Sequence, residues 1–196
     1  MLDQIGSAHM EQGEKTNFVK DKFDKENSAL ALNFGWTKVP SGVYFNTEQY
    51  TITAWIYSDN IQPGSRLIDF GDYDSHAVII ELSELKDKHY TPSFQIRFNG
   101  EVLLGVYSSQ KLTTNKWQFM VASFDGYGAS IYIDGQLVGS SEKSSKKYLP
   151  FVGTRDYCNI GKSNWADDGR SSSYIDDLRF YGKALSQEEI MELMST

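Results

Sequence analysis

The sequence lacks most of the residues on which disulfide-stapled folds and metal enzymes are built. It holds one cysteine, Cys158, so no intrachain disulfide can form. A chain of 196 residues needs no such staple, because a domain of this size buries roughly 70% of the surface its unfolded form exposes. Cys158 stands in Tyr157-Cys158-Asn159-Ile160, a strand-like run in which a lone cysteine acts as a small apolar residue, and no histidine neighbours it as a base. Histidine is nearly as scarce: of His9, His76 and His89 no two stand at ligand spacing, and one thiol completes no zinc set. A basic excess is also missing. The net charge of −7 argues against nucleic acid, and Lys143, Lys146 and Lys147 among their serines read as a solvated loop. No apolar run approaches the roughly 18–20 residues that span a bilayer, which argues against membrane insertion. Met1–Met10 has no apolar stretch of the kind a secretory leader carries. Its Gly-Ser-Ala-His-Met ending resembles a cloning remnant, so residues 1–10 are set aside. Residues 11–196 read as a single domain taken from a larger multidomain protein.

What the chain has instead is aromatic residues and turns. Phe, Trp and Tyr make up 14% of it, which favours strands over helices. Gln49–Ser58 alternates, with Ile52, Ala54 and Ile56 on one face and Thr51, Thr53, Trp55 and Tyr57 on the other. Trp117–Ser141 reads as three strands separated by turns at Asp125–Gly128 and Asp134-Gly135, since Asp-Gly supplies the positive φ that a tight hairpin needs. Further strands are expected at Ser28–Phe34, Arg66–Phe70, Ala77–Leu82, Phe94–Phe98, Glu101–Tyr107, Asn159–Gly161 and Tyr174–Tyr181. Residues 11–27 are polar and read as a loose lead-in, and 162–172 as an irregular loop. About ten short strands with frequent turns predict an all-β fold, a two-sheet antiparallel sandwich. One helix is expected, about Gln187–Met194, with Ser186 and Glu189 as a capping box and Ile190 and Leu193 docking it.

SALALNF, YTITAWIY, KWQFMVASFDGYGASIYIDGQLVGS, IGKSNW and YIDDLRFYGKALSQEEI follow one another in this order. Together they resemble the laminin-G-like domains of the concanavalin A-like lectin/glucanase superfamily, over Lys20–Leu193. The resemblance implies a jelly roll of two curved sheets with a short C-terminal helix. It further implies a non-catalytic, extracellular or cell-surface module that binds glycan or a protein partner, often with calcium. Such transfers rest on analogy, because a fold does not fix its ligand.

Calcium takes oxygen ligands, mostly carboxylates and carbonyls. The resemblance points to a sheet rim, matched here by Asp72 and Asp74 in GDYD, or to the last strand with the N-terminal segment, matched by Asp177 and Asp21. Asp167-Asp168 is a third acidic spot. The competing reading is that these acids cap turns and accept backbone N–H groups. For glycan, an aromatic ring beside amide and carboxylate groups is needed; Trp165 with Asn164 in the late loop supplies these, as do Trp55 and Tyr57 on their strand face. Trp55 is better explained as buried sandwich filling, and Trp36 equally as a ligand contact or a lid over the sandwich edge. A glycoside hydrolase would need two carboxylates about 5–5.5 Å apart. Glu81 and Glu84 are the one strand-borne Glu pair, and their spacing predicts opposite faces, so catalysis is not expected. Gln95 and Arg97 share a face of FQIRF without the histidine that a lyase would want. Glycan binding therefore leads; calcium-organised protein–protein adhesion is the alternative.

Overall fold

One strand belongs to both layers of this fold. A computed structural model describes residues 9–11, 13–72, 75–149, 151–166 and 168–195. In chain order the strands are β1 (Glu14–Val19), β2 (Ala29–Val39), β3 (Gly42–Val43), β4 (Tyr50–Asn60), β5 (Arg66–Gly71), β6 (Ala77–Lys86) and β7 (His89–Phe98). They continue as β8 (Glu101–Tyr107), β9 (Gln118–Phe124), β10 (Ala129–Ile133), β11 (Gln136–Ser140), β12 (Thr154–Arg155), β13 (Tyr157–Ile160) and β14 (Ser172–Tyr181), followed by α1 (Gln187–Met194).

All pairings are antiparallel, and the main sheet runs β11-β10-β9-β4-β14-β2-β13-β5-β6-β7-β8. The first half of β2 pairs with β14 at Leu30–Asn33, and its second half pairs with β13 at Thr37–Val39. Between them Phe34 takes a φ of 52°, which turns the strand from one layer into the other. The expected two sheets are thus one continuous sheet folded over on itself into a jelly-roll sandwich. At the opposite side the layers approach again: Ser109 N–H donates to the Val138 carbonyl at 2.7 Å. There a Cβ on Gly139 would stand 2.5 Å from the Tyr107 carbonyl, so only glycine fits.

The lead-in is more ordered than its polarity suggests. Residues 14–19 form β1 along the outer edge of β2, and a Cβ on Gly35 would meet the Glu14 carbonyl at 2.2 Å. A second unexpected hairpin joins β6 to β7 through Asp87 and Lys88, both at positive φ without a glycine. Asp134 and Asp125 are turn acids, as their Asp-Gly settings predict: Asp134 Oδ1 accepts the Phe119 N–H, and Asp125 Oδ1 those of Tyr127 and Gly128.

The core lies between the layers, where Ile52, Ala54, Ile56 and Phe124 face Ile68, Phe70, Ile80, Phe94 and Cys158. Burial of Cys158 pushes its thiol up to about 12, consistent with an unreactive packing residue. A second cluster sits outside the sandwich, where Leu185 and Ile190 of the helical tail cover Phe119 and Val121. The tail is also pinned by Thr51, whose hydroxyl donates to the Lys183 carbonyl and accepts the Leu185 N–H.

The capping box at Ser186 forms with both arms, Glu189 N–H to Ser186 Oγ and Ser186 N–H to Glu189 Oε2. Replacing Ser186 by Ala is expected to cost about 1 kcal/mol; chemical denaturation of the pair of proteins measures it, and equal midpoints would show the cap to be idle.

Candidate functional site

The outer surface of the β5–β8 layer carries polar side chains where its inner surface carries the core. Cross-strand register sets them in two rows. Arg66, Glu81, Ser93 and Tyr107 are consecutive partners in one; Asn159, Asp69, Ile79, Gln95 and Gly105 are consecutive partners in the next. Because side chains alternate along each strand, every member of a row points to the same side.

Arg66 is the centre of the first row. Its Nη1 donates to Glu81 and to the Gly64 carbonyl, its Nη2 to Asp168 at 2.6 Å, and its Nε lies 3.8 Å from Asp69. Glu81 also accepts from Ser93 and from Gln95 Nε2 at 3.2 Å. Asp69 is fully buried, and burial pushes its carboxyl up to about 6 even though Asn164 and Arg66 pull the other way.

Over this surface lie Ser163–Trp165 and Asp168, held by two clamps. Asp69 accepts the Asn164 N–H at 3.0 Å and its Nδ2 at 2.8 Å, while Asn159 donates to Asn164 Oδ1. Asp168, reaching from the segment to Arg66, also accepts from Ser163 Oγ at 2.7 Å. Between the clamps Trp165 is half-buried, with the Arg97 guanidinium 5.3 Å from its ring centre. Glu84 stands at the rim, its carboxyl raised by burial, opposed by Arg66 and reinforced by Asp168.

Glu84 corrects the expectation that Glu81 and Glu84 lie on opposite faces. The register slips between them, three residues of β6 passing two of β7, so the bulge turns Glu84 back toward Arg66. Even so, Glu81 is consumed by Arg66, Ser93 and Gln95.

The four expected ligand residues do not form one site. Trp165 and Asn164 belong to this surface, Asn164 as an anchor rather than a free amide. Trp55 and Tyr57 lie on the outer face of the other layer. Trp55 packs on Phe119 at 5.2 Å with the Lys22 ammonium 3.7 Å from its ring centre, so its own chain covers it. Tyr57 stacks on Tyr174 at 5.2 Å and meets Trp117 at 5.8 Å. Trp36 has the Lys162 ammonium 4.3 Å from its ring centre.

The acids expected for calcium have partners within the chain. Asp72 accepts the His76 N–H and pairs with its Nδ1 at 2.8 Å. Asp21 Oδ1 accepts the N–H groups of Phe23 and Lys25, and Asp177 pairs with Arg179. Asp21 and Asp177 do converge on Asp176, whose carboxyl is raised by burial and by both their charges. Among the described residues no three His, Cys, Asp or Glu gather to hold a metal ion. Asp74 and Asp167 lie outside the described residues.

Arg66 and Asp69 escape sequence reasoning, and Asp168 is legible only as one of an acidic pair, because the sequence does not show which strand charge meets the late segment. Their one signal is the presence of two charged residues, Arg66 and Asp69, within an otherwise apolar strand.

A laminin-G family profile, described as the concanavalin A-like lectin/glucanase superfamily, matches residues 33–191. The chain belongs to the concanavalin A-like lectin/glucanase superfamily. No curated protein sequence matches it. Among solved structures it is similar to domain 4 of AbnA, an extracellular arabinanase of Geobacillus stearothermophilus, in complex with arabinotriose. That likeness has a TM-score of 0.71 at 17% identity, over 98% of this chain and 91% of the other. It is also similar to the binding domain of Paraclostridial Mosquitocidal Protein 1, with a TM-score of 0.68 at 15% identity, over 95% of this chain and 47% of the other. The binding domain of botulinum neurotoxin DC in complex with SialylT gives a TM-score of 0.65 at 17% identity, over 96% and 47%. The chain thus spans about half the length of the two toxin domains. At such identities the likeness shows the jelly-roll fold of the superfamily.

Raised to about 6, Asp69 makes the native state bind more protons than the unfolded chain between roughly pH 4 and 6. Its contribution to stability is therefore present on the acid side and lost as pH rises through 6. Relative to Asp69→Asn, wild type should gain stability as pH falls from 7 to 5, by about 1 kcal/mol. Parallel pH–melting curves for the two proteins would contradict this.

Proposed function

We propose that this chain is a non-catalytic, extracellular recognition module that binds glycan across the polar outer face of the β5–β8 layer, with Trp165 as its stacking ring. The observation that carries the reading is the Trp165 arrangement: a half-exposed indole, fixed between the Asn164–Asp69 and Asp168–Arg66 clamps and backed by Arg97. Sugar recognition joins an apolar ring face to hydrogen-bonding groups around it, and here Glu84, Asp168 and Tyr107 occupy the rim. Fixing the indole before binding lowers the ordering cost that a loop tryptophan would otherwise incur. Superfamily membership supports the reading. So do the two similar structures that hold arabinotriose and SialylT.

The distribution of carboxylates supports a binding role over hydrolysis. A glycosidase pair needs one acid free to give a proton and a second free to attack or to activate water. Glu81 is held by Arg66, Ser93 and Gln95, and Asp69 by Asn164. Calcium is not needed for this surface, because Asn164 and Asp168 already anchor the segment that carries Trp165. Protein–protein adhesion remains the reading that a glycan array with no hits would favour.

Two measurements test these statements. On a glycan array Trp165→Ala should lose at least about tenfold in retention, the scale of one lost aromatic contact, with an unaltered melt; undiminished retention would remove Trp165 from the site. EDTA and added calcium should both leave Tm and retention unchanged, whereas a melt lowered by EDTA and restored by calcium would refute calcium independence.

A further inference from the structure

Buried arginines in this fold are treated in two opposite ways. Among the described residues the arginines in ion pairs are Arg66, Arg170 and Arg179. Arg155 is only 2% exposed, as deeply placed as Arg66, and takes part in none. One Nη donates to the Tyr44 carbonyl, the Nε is buried with no acceptor, and the guanidinium carbon lies 5.6 and 5.1 Å from the ring centres of Phe45 and Phe151. The acid whose charge reaches it is Asp72, already taken by His76. Removing a guanidinium from water without a counter-charge is costly, and so is an orphaned buried N–H.

Arg155 lines a cavity of about 30 Å³ at one end of the sandwich, together with Phe45, Tyr50, Phe98, Phe151 and Arg97. Arg97 is the residue that backs Trp165. It donates to the Gly100 carbonyl at 2.6 Å, and its Nε too is buried with no acceptor. Two guanidiniums with no carboxylate partner among the described residues therefore border one void whose other walls are aromatic and aliphatic, Val78, Ile96 and Leu104 among them. The volume suits a group the size of a carboxylate and is too small for a sugar ring. Phe98 and Leu149 in the cavity's lining are 42% and 83% exposed.

We infer that this cavity receives the carboxylate of an acidic sugar, so that the glycan bound along Trp165 is a uronic-acid-containing one. The inference rests on the glycan reading above and specifies its ligand class. A guanidinium matches a carboxylate through paired N–H donors, and Arg97 links the cavity to the stacking ring. The net charge of −7 gives acidic polymers no general attraction to this protein, so any preference for them must arise locally.

The test is calorimetric titration of the protein with tetragalacturonate and with its carboxyl-reduced neutral counterpart. The acidic form should bind on the order of tenfold more tightly, and Arg155→Gln should erase that difference while leaving the neutral affinity unchanged. Equal affinities in wild type, or a difference that survives in Arg155→Gln, overturn the acid site and leave glycan binding standing; absence of binding by both oligosaccharides overturns the two together. Should Arg155→Gln fail to fold, wild-type melting decides: glucuronate should raise Tm where glucose does not. Equal shifts from the two, or protection by hexanoate as strong as by glucuronate, overturn the assignment to an acidic sugar.

Discussion

Strand β2 is the constraint on which the rest of this structure depends. Its first half is hydrogen-bonded into the layer that carries α1, and its second half into the layer that carries the polar site. Neither layer can shift against the other without breaking one of those ladders, so the apolar core between them is fixed in depth and register. Phe34, at positive φ, makes the turn, and Gly35 lets β1 lie close along the same strand. The site inherits its rigidity from this arrangement: β13 is held by β2, β5 by β13, and Arg66 and Asp69 stand on β5.

On that rigid face the electrostatics decide what is available to a ligand. Arg66 draws Glu81, Asp69 and Asp168 to itself, which pairs buried charges that would otherwise be costly. What remains accessible is the rim, with Trp165 and Glu84, and the void behind Arg97. Arg155 is the counter-example, a buried cation with no ion-pair partner among the described residues. The contrast between Arg66 and Arg155 lies in their neighbours, not in their burial.

Much of the fold was legible before any tertiary contact was known. The alternation in Gln49–Ser58 placed Ile52, Ala54 and Ile56 in the core, the Asp-Gly turns fell where glycine permits positive φ, and the capping box located α1. Missed elements were those whose local chemistry is ambiguous. Strand β1 is polar because it is an edge, and the Asp87-Lys88 turn adopts positive φ without the glycine that signals it. Trp165 could be singled out as a loop tryptophan, but Trp55 carried the same residue type and is covered by Phe119 and Lys22.

The sequence by itself determined the strand periodicity, the turns, the helix cap and, through the order of its motifs, the superfamily. All of these depend on interactions between residues near one another in the chain. Tertiary structure alone decided which charges meet. The pairing of Arg66 with Asp168, the return of Glu84 to the face of Glu81 through a bulge, and the isolation of Arg155 depend on register and on contacts between segments about a hundred residues apart. Periodicity tells which way a side chain points and carries no information about what stands opposite it.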